Sequence, residues 1–480
     1  MSKLTRRDLL RRGALALGAG TLAACAPKVV KETVVVEKPV EKIVEKTVVV
    51  KEAVEVEKEV TRVVEKVVPA QAPTKAPAQP FELRIHTRVG TDLDQYFVTV
   101  LDEFKQIVPE ATVKIEAVPG GALEYASKVL VLHAGGQIGD ALWSASRVGF
   151  NRRFMAVGIF APLDPFVEAE HFDVGQYYPY CIEEATYEGK LMALPHISEP
   201  GQVGLVLNLD LFERAGAAPI TWESTLDELL QAAIAISKLS GDRKVFGFSR
   251  DTNYFNWVTM VRSFGGDFLN PEGTKCVLDE DKALAAFQWL YDIVYTHQAA
   301  PAPDQIEGGS AKMFQGGTVA MYPCWPINAS AWPTMIKDFK VGATMLPPGP
   351  AGRGSMLNQH MMSVAAVSKH PEAAWEWVKW TCSRKFSLER ALKGKGGPVG
   401  MASVWHDPEL LRAFPAWEEW ARVMDNVGPN YTAANLRGKE LEDTFNQGIS
   451  AIMVREVGVK EGLVNVRTEC QKVLDKPIAT

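Results

Sequence analysis

From residue 81 onward the sequence predicts an α/β protein of two lobes, and three observations carry that prediction. Strand-like and helix-like segments alternate at the pitch of a parallel sheet flanked by helices. The roughly 400 residues after position 80 are too many for one small core. The composition, 47% hydrophobic with a net charge of −6, is that of an ordinary, mildly acidic globular chain.

The elements follow in order. "FELRIHTRV" (81–89) reads as a strand, and Leu93–Val108 as a helix with Leu101, Phe104 and Val108 on one face. "ATVKIEAVP" (111–119) is a second strand, Leu123–His133 a second helix, and "IGDALWSA" (138–145) a third strand entering a loop. "GLVLNLDLF" (204–212) runs from strand into helix. Thr225 is the N-cap of a helix to Leu239, with Glu228 three residues on as its capping-box partner. "KVFGFSR" (244–250) is a strand into a loop. Helices are expected around Asn256–Phe264, Lys282–Thr296 and Pro371–Cys382, and the chain from Met401 onward reads as mostly helical.

The first 80 residues are of another kind. Arg6 and Arg7 precede a short Gly/Ala-rich apolar run ending at Cys25, too short for a permanent span of about 20 residues. A basic start, a short apolar stretch and small residues before a cleavage point describe an export signal over residues 1–24. "TRRDLL" resembles the twin-arginine signal, and "LAAC" the bacterial lipobox, which makes Cys25 the lipidated first residue of the mature chain. Residues 25–80 are expected to be a tether. The Val/Glu/Lys repeats between Lys28 and Val68 have no aromatic residue and cannot build a core. An extended spacer and a short coiled coil seamed by Val36, Val40, Ile43, Thr47, Val50 and Val54 are both open. "PAQAPTKAPAQP" (69–80) is a stiff linker.

The blocks "GIFAPLDPFV", "YEGKLMALPH", "GLVLNLDLFERAGAAPITWESTLDELLQAA", "AKMFQGGTVAM", "LPPGPAG" and "SKHPEAAWEWVKW" occur in that order. Together they resemble the extracellular sugar-binding proteins of bacterial ABC importers, the group that includes maltose-binding protein, over nearly everything from Phe81 on. The resemblance implies a two-lobed periplasmic-binding-protein-like fold of type II, with a ligand cleft between lobes that close like a clamp. Crossings are expected near Pro195–Glu199, Thr344–Pro347 and Lys395–Val399. They divide the chain into lobe 1 (81–196 plus 347–396) and lobe 2 (197–346 plus 397–480). The implied function is capture of a carbohydrate outside the cytoplasm and its delivery to ABC-transporter permease subunits. The protein would be a monomer without cofactor or metal, held at the membrane by lipid on Cys25, and would bind no nucleic acid.

A sugar pocket needs flat apolar faces for the CH side of a pyranose and hydrogen-bonding groups for its hydroxyls. Twelve tryptophans suit that need, most of them as core. Trp143 and Ser144 follow "GDAL", Tyr254 and Trp257 sit in "RDTNYFNW", and Trp325 follows "VAMYPC", each after a strand, where open α/β sheets bind ligands. For every aromatic the alternative is ordinary packing. Arg88 ends the first strand and is either a cleft residue or half of a surface ion pair. Glu199, just after the first crossing, stands where family members often present a carboxylate to hydroxyls; the alternative is a solvated loop acid. Asn358 and His360 lie in "SMLNQHMM", where the chain returns to the first lobe. His360 is a hydroxyl donor or a half-buried imidazole with its bonds met. Two features depart from the family pattern: "AMYPCWPIN" lacks the usual glycine, and the Met-rich return segment suggests a less polar solute.

Other classes find less support. There is no H-E-x-x-H, G-x-S-x-G or Walker A motif, and the eight histidines are not at metal-ligand spacing. "GKGGPVG" reads as a flexible crossing rather than a nucleotide cradle. Beyond Cys25 the cysteines are an odd, widely spaced five, expected mostly as small buried apolar residues. A sensor domain of the same fold, a non-sugar solute and a tethered glycoside hydrolase with two distant carboxylates are the alternatives.

Overall fold

The computed structural model describes residues 79–476 apart from 90–91, 147–149, 240, 242–243, 415 and 432–434. The export signal, Cys25 and the tether as far as residue 78 lie outside the described residues. In chain order the first region holds β1 (Phe81–Val89), α1 (Asp92–Thr99), α2 (Leu101–Ile107), β2 (Ala111–Pro119), α3 (Ala122–Ala134), β3 (Ala141–Ala145) and β4 (Leu194–Glu199). The second holds β5 (Gly204–Asn208), α4 (Leu226–Ser237), α5 (Tyr254–Ser263), α6 (Asp281–Tyr295), β6 (Met321–Cys324), α7 (Pro326–Met335) and β7 (Val341–Met345). The chain then returns through β8 (Asn358–Val364), α8 (Pro371–Thr381) and α9 (Arg384–Leu392), and ends in helices that include α10 (Trp417–Met424), α11 (Gly438–Met453) and α12 (Val459–Leu474).

Two sheets organise these elements. The first is five-stranded, in the order β2-β1-β3-β8-β4; β1 pairs parallel with β2 and β3, while β8 pairs antiparallel with β3 and β4. The second, β6-β5-β7, is antiparallel, and a parallel bridge joins Phe246 to Val319 beside it. Each sheet has its own core. Leu83, Ile85, Phe104, Val129 and Trp377 are wholly buried in the first, and Leu205, Leu229, Val258, Leu278 and Phe445 in the second. A third cluster joins them, built from Cys181, Val203, Leu357 and the indoles of Trp405, Trp417 and Trp420. Val399, Met401 and Val404 belong to the first core. The segment after the third crossing therefore packs on the first lobe before the chain reaches the second, a later hand-over than the expected boundary at 397.

Local chemistry explains the element ends. Thr225 Oγ1 accepts from the Glu228 N–H at 3.2 Å, and Glu228 Oε2 accepts from the Thr225 N–H at 2.7 Å, so the capping box is complete. Thr225→Ala is expected to cost about 1 kcal/mol of stability, measured by urea unfolding. Pro371 occupies the first turn of α8, where its missing N–H is harmless, and Trp375 and Val378 turn inward. In "YEGK", Glu188 (φ 49°) and Gly189 (φ 76°) form the turn of the 186–191 hairpin; both positions need the left-handed region that suits glycine. The helix expected over Leu93–Val108 is broken at Val100, whose N–H bonds back to the Phe97 carbonyl at 3.2 Å. Phe97 and Phe104, on either side of the break, are both buried in the first core.

Candidate functional site

Two stretches carry the chain between the sheets, 200–203 after β4 and 346–357 after β7, and a third, 393–401 after α9, leads from the first region to the C-terminal helices. Their shared scaffold is a buried arginine. Arg390, on α9 and 1% exposed, donates from Nη2 to the carbonyls of His196 and Gly397, both at 2.8 Å. It thereby ties the first crossing to the third. His196 Nδ1–H donates to the Thr381 carbonyl at 2.9 Å, which leaves Nε2 to accept from Arg390 Nη1 at 2.6 Å. Burial, then the Arg390 charge, hold the His196 imidazole well below its ordinary pKa, so it is neutral. The last two glycines of "GKGG", Gly396 and Gly397, are there for room. A Cβ on Gly396 would stand 2.8 Å from Arg390 Cδ, and one on Gly397 would stand 2.5 Å from Glu199 Oε1. The segment threads between the two charged side chains.

Glu199 ends β4 opposite Asn358 of β8. It is 4% exposed, so it is not a solvated loop acid. Burial pushes its carboxyl up to about 7, against the pull of the Asn358 side chain, the Arg390 charge and the backbone N–H of Ile327. Ile327 sits in the first turn of α7, so a strand end of the first lobe meets a helix N-terminus of the second. A second such contact runs from Asn256 Nδ2 on α5 to Gln202 Oε1 at 2.5 Å. Ser198 Oγ donates to Gln359 Oε1 at 3.0 Å, and Gln359 Nε2 donates to the Cys181 carbonyl at 2.8 Å, which fixes β4 against β8 from behind. Four buried polar atoms on β3, β4, β8 and α5 have no hydrogen-bond partner: Ser144 Oγ, Glu199 Oε1, Asn358 Oδ1 and Asn256 Oδ1. Buried polar atoms are ordinarily paired, and each unpaired one is a spot where a polar guest or water can complete the bonding.

The residues singled out in the sequence fall into two groups. Arg88, Trp143 and His360 come together: the Arg88 guanidinium lies 5.2 Å from the Trp143 ring centroid, and the His360 ring meets that indole edge-on at 5.0 Å. With Phe97, His196 and Arg390 they enclose a chamber of about 10 Å³, room for roughly one water. Trp143 and Ser144 lie within β3 rather than on a loop after it, and Trp143 is 3% exposed, its ring also covered by Tyr125 at 5.1 Å. Trp325 immediately precedes α7, half-buried, with its ring 5.8 Å from Phe255. Tyr254 is corrected: it is fully buried and meets Phe255, Phe268 and Phe445 edge-on, as core of the second lobe. Trp257 is likewise core, stacked on Phe287 at 4.6 Å. The Met-rich face is corrected too. Met356, Met361 and Met362 are fully buried and supply no pocket wall, so the hint of a less polar solute loses its basis.

Gln202, Asn256, His196, Gln359 and Arg390 were not singled out. Asn256 adjoins Trp257 and Gln359 lies between Asn358 and His360, while Gln202 and His196 stand three residues either side of Glu199; Arg390 shares the apolar face of α9 with Phe386, four residues before it, which was its only local signal. A cavity of about 670 Å³ is lined by residues that include Arg152, Tyr180, Glu183, Asn430 and Tyr431. It contains none of the residues the sequence pointed to. Among the described residues no group of His, Cys, Asp or Glu is placed to hold a metal ion, and no helix is long and apolar enough to cross a membrane.

Known proteins share this architecture. A probable ABC transporter-binding protein of Deinococcus radiodurans is 24% identical over 297 residues, covering 59% of this chain and 69% of that protein. A maltose-bound MalE3 of T. maritima is 25% identical with a TM-score of 0.69, covering 82% of this chain and 99% of that one. An ABC substrate-binding protein of Listeria monocytogenes in complex with cycloalternan shares the fold at 18% identity and a TM-score of 0.73, over 82% of this chain and 99% of that one. The model of the family described as bacterial extracellular solute-binding protein matches residues 89–384, and the chain belongs to that family.

Proposed function

We propose that this chain captures a carbohydrate between its lobes and delivers it to the permease of an ABC importer. The observation that carries the reading is Glu199 and Asn358, opposite each other on β4 and β8, each with a buried oxygen lacking a partner, and Glu199 bonded to the backbone of Ile327 two residues after the half-buried Trp325. That combination, hydrogen-bonding groups beside an aromatic face, is what a pyranose requires. The maltose and cycloalternan bound by two proteins of the same fold support it. Glu199, Asn358 and Ser144 are the proposed hydroxyl partners, Trp325 the stacking face, and Arg88 and His360 the rim of the first lobe. Trp143, Trp257 and Tyr254 act through packing.

The mechanism is population shift. A solute that touches both lobes gains all its contacts only when they are closed together, so it draws the protein to that state. A twin-arginine signal and lipid on Cys25 would keep the trap beside its permease, with the 25–80 segment as tether. The chain acts as a monomer, without cofactor and without catalysis.

Calorimetric titration and thermal-shift screening of the folded protein against maltotriose, cycloalternan, polyols, amino acids and short peptides test this. A saturable rise in melting temperature of a few degrees with one carbohydrate, without turnover, is the expected result. Trp325→Ala should weaken that binding at least tenfold with an unchanged circular-dichroism spectrum. Responses confined to amino acids or peptides would overturn the substrate class.

A further inference from the structure

Arg250, between the bridge residue Phe246 and α5, is 8% exposed. Its hydrogen bonds go to neutral acceptors: the Asn256 carbonyl, and Thr259 Oγ1 at 2.9 Å. Nε and Nη1 are buried without a partner. Burial lowers its pKa to about 9, with Asp251 pulling the other way. A buried guanidinium with no ion pair is costly, because the charge has left water without a counter-charge in contact.

The guanidinium borders a chamber of about 30 Å³ whose wall is otherwise mostly apolar, including Phe248, Leu290, Ile293 and Met453. Trp257 is on the same wall, and its indole Nε1–H is likewise buried and unpaired. Asp251 is the one carboxylate lining the chamber, and its Oδ2 accepts from the Tyr322 hydroxyl at 2.6 Å. Arg250 and Trp257 both line the cavity, and between them they hold three buried nitrogens without a partner. The space exceeds what one water needs and is far below what a sugar ring needs. Water would meet the donors; an anion does so and adds a counter-charge in contact, which Asp251, bound to the Tyr322 hydroxyl and not ion-paired with Arg250, does not supply.

We propose that this chamber is a binding site for a small monovalent anion of chloride's size, held by Arg250 Nε and Nη1 and by the Trp257 indole N–H. The site is separate from the Glu199 constellation and does not depend on which solute binds there. It is linked to it, however. Arg250 holds the carbonyl of Asn256, whose side chain reaches Gln202 on the first crossing. An occupant that fixes Arg250 therefore steadies the start of α5 at the passage between lobes.

Crystals of the folded protein grown in sodium bromide test the proposal directly. An anomalous peak inside the chamber, within hydrogen-bonding reach of Arg250 and Trp257, is expected; water alone or an empty chamber would overturn it. In solution, chloride or bromide should raise the melting temperature by about 2–4 °C over gluconate at equal ionic strength, saturably. Arg250→Met should abolish that difference between salts, and Arg250→Lys should keep part of it. A rise that is equal for all sodium salts would overturn the site, and if Arg250→Met does not fold, the bromide map of the wild type decides.

Discussion

Arg390→Ala is expected to lower the unfolding free energy by about 3–5 kcal/mol, the largest loss of any single substitution considered. The guanidinium satisfies the carbonyls of His196 and Gly397 and the Nε2 of His196, all buried. Truncation leaves those three acceptors without donors, at about 1–3 kcal/mol for each that water cannot reach, and opens a cavity where the side chain lay. Arg390→Lys retains the charge but not the planar fork, so it cannot serve two carbonyls and the imidazole together, and it should recover less than half of the loss. Urea unfolding followed by tryptophan fluorescence gives both numbers. A loss under 1 kcal/mol for the alanine variant would mean that water replaces the guanidinium and that the two crossings are not held by it. Solute affinity should fall with stability, because the residue that ties the first and third crossings also fixes the backbone beneath Glu199.

How far this could be read from the sequence depends on whether the signal was local. Strand β1, the capping box at Thr225 and Glu228 and the proline start of α8 were legible, because each is written in consecutive residues. Glu199 and Asn358 were singled out separately, one just after the first crossing and the other where the chain returns to the first lobe; only the ladder of β4 on β8 sets them opposite each other. Tyr254 was misread for a physical reason. Of the residues 254–263 in α5 all but Arg262 are buried, so the polar side of the helix, with Asn256, Thr259 and Ser263, is covered as well and does not mark the solvent or cleft side. The methionines of β8 fail in the same way: the strand lies inside the sheet between β3 and β4, and a strand covered on both faces loses its alternation. Arg390 and the two glycines are the non-local case. Residues 390, 396 and 397 make sense only beside His196 and Glu199, almost 200 positions away, and glycines chosen for room look like glycines chosen for flexibility.

Glu199→Gln should change how stability depends on pH, with a definite sign. The Glu199 carboxyl is pushed up to about 7 from an ordinary 4.5, burial being the first cause. Between those values the folded state holds a proton that the unfolded state has released, so stability falls as pH rises through the window. A shift of that size corresponds to an upper bound of roughly 3 kcal/mol, fully lost only above the folded value. Glutamine keeps the shape and has no proton to lose. The variant should therefore be close to wild type near pH 4.5 and gain on it progressively, by about 2–3 kcal/mol at pH 8. Glu184, half-buried with its carboxyl pushed up to about 8, titrates with the same sign in both proteins and cancels in the comparison. A difference that stays constant from pH 4.5 to 8 would show that Glu199 is ionised throughout. The solute adds a second readout. Hydroxyls donating to the unpaired Oε1 favour the carboxylate, so wild-type binding near pH 7 should release a fraction of a proton, measurable as a buffer-dependent enthalpy, and Glu199→Gln should bind with none. The raised carboxyl then acts as a proton-coupled contact: stability is given up where the acid is buried, and is regained when a polyhydroxylated guest supplies the donors that burial took away.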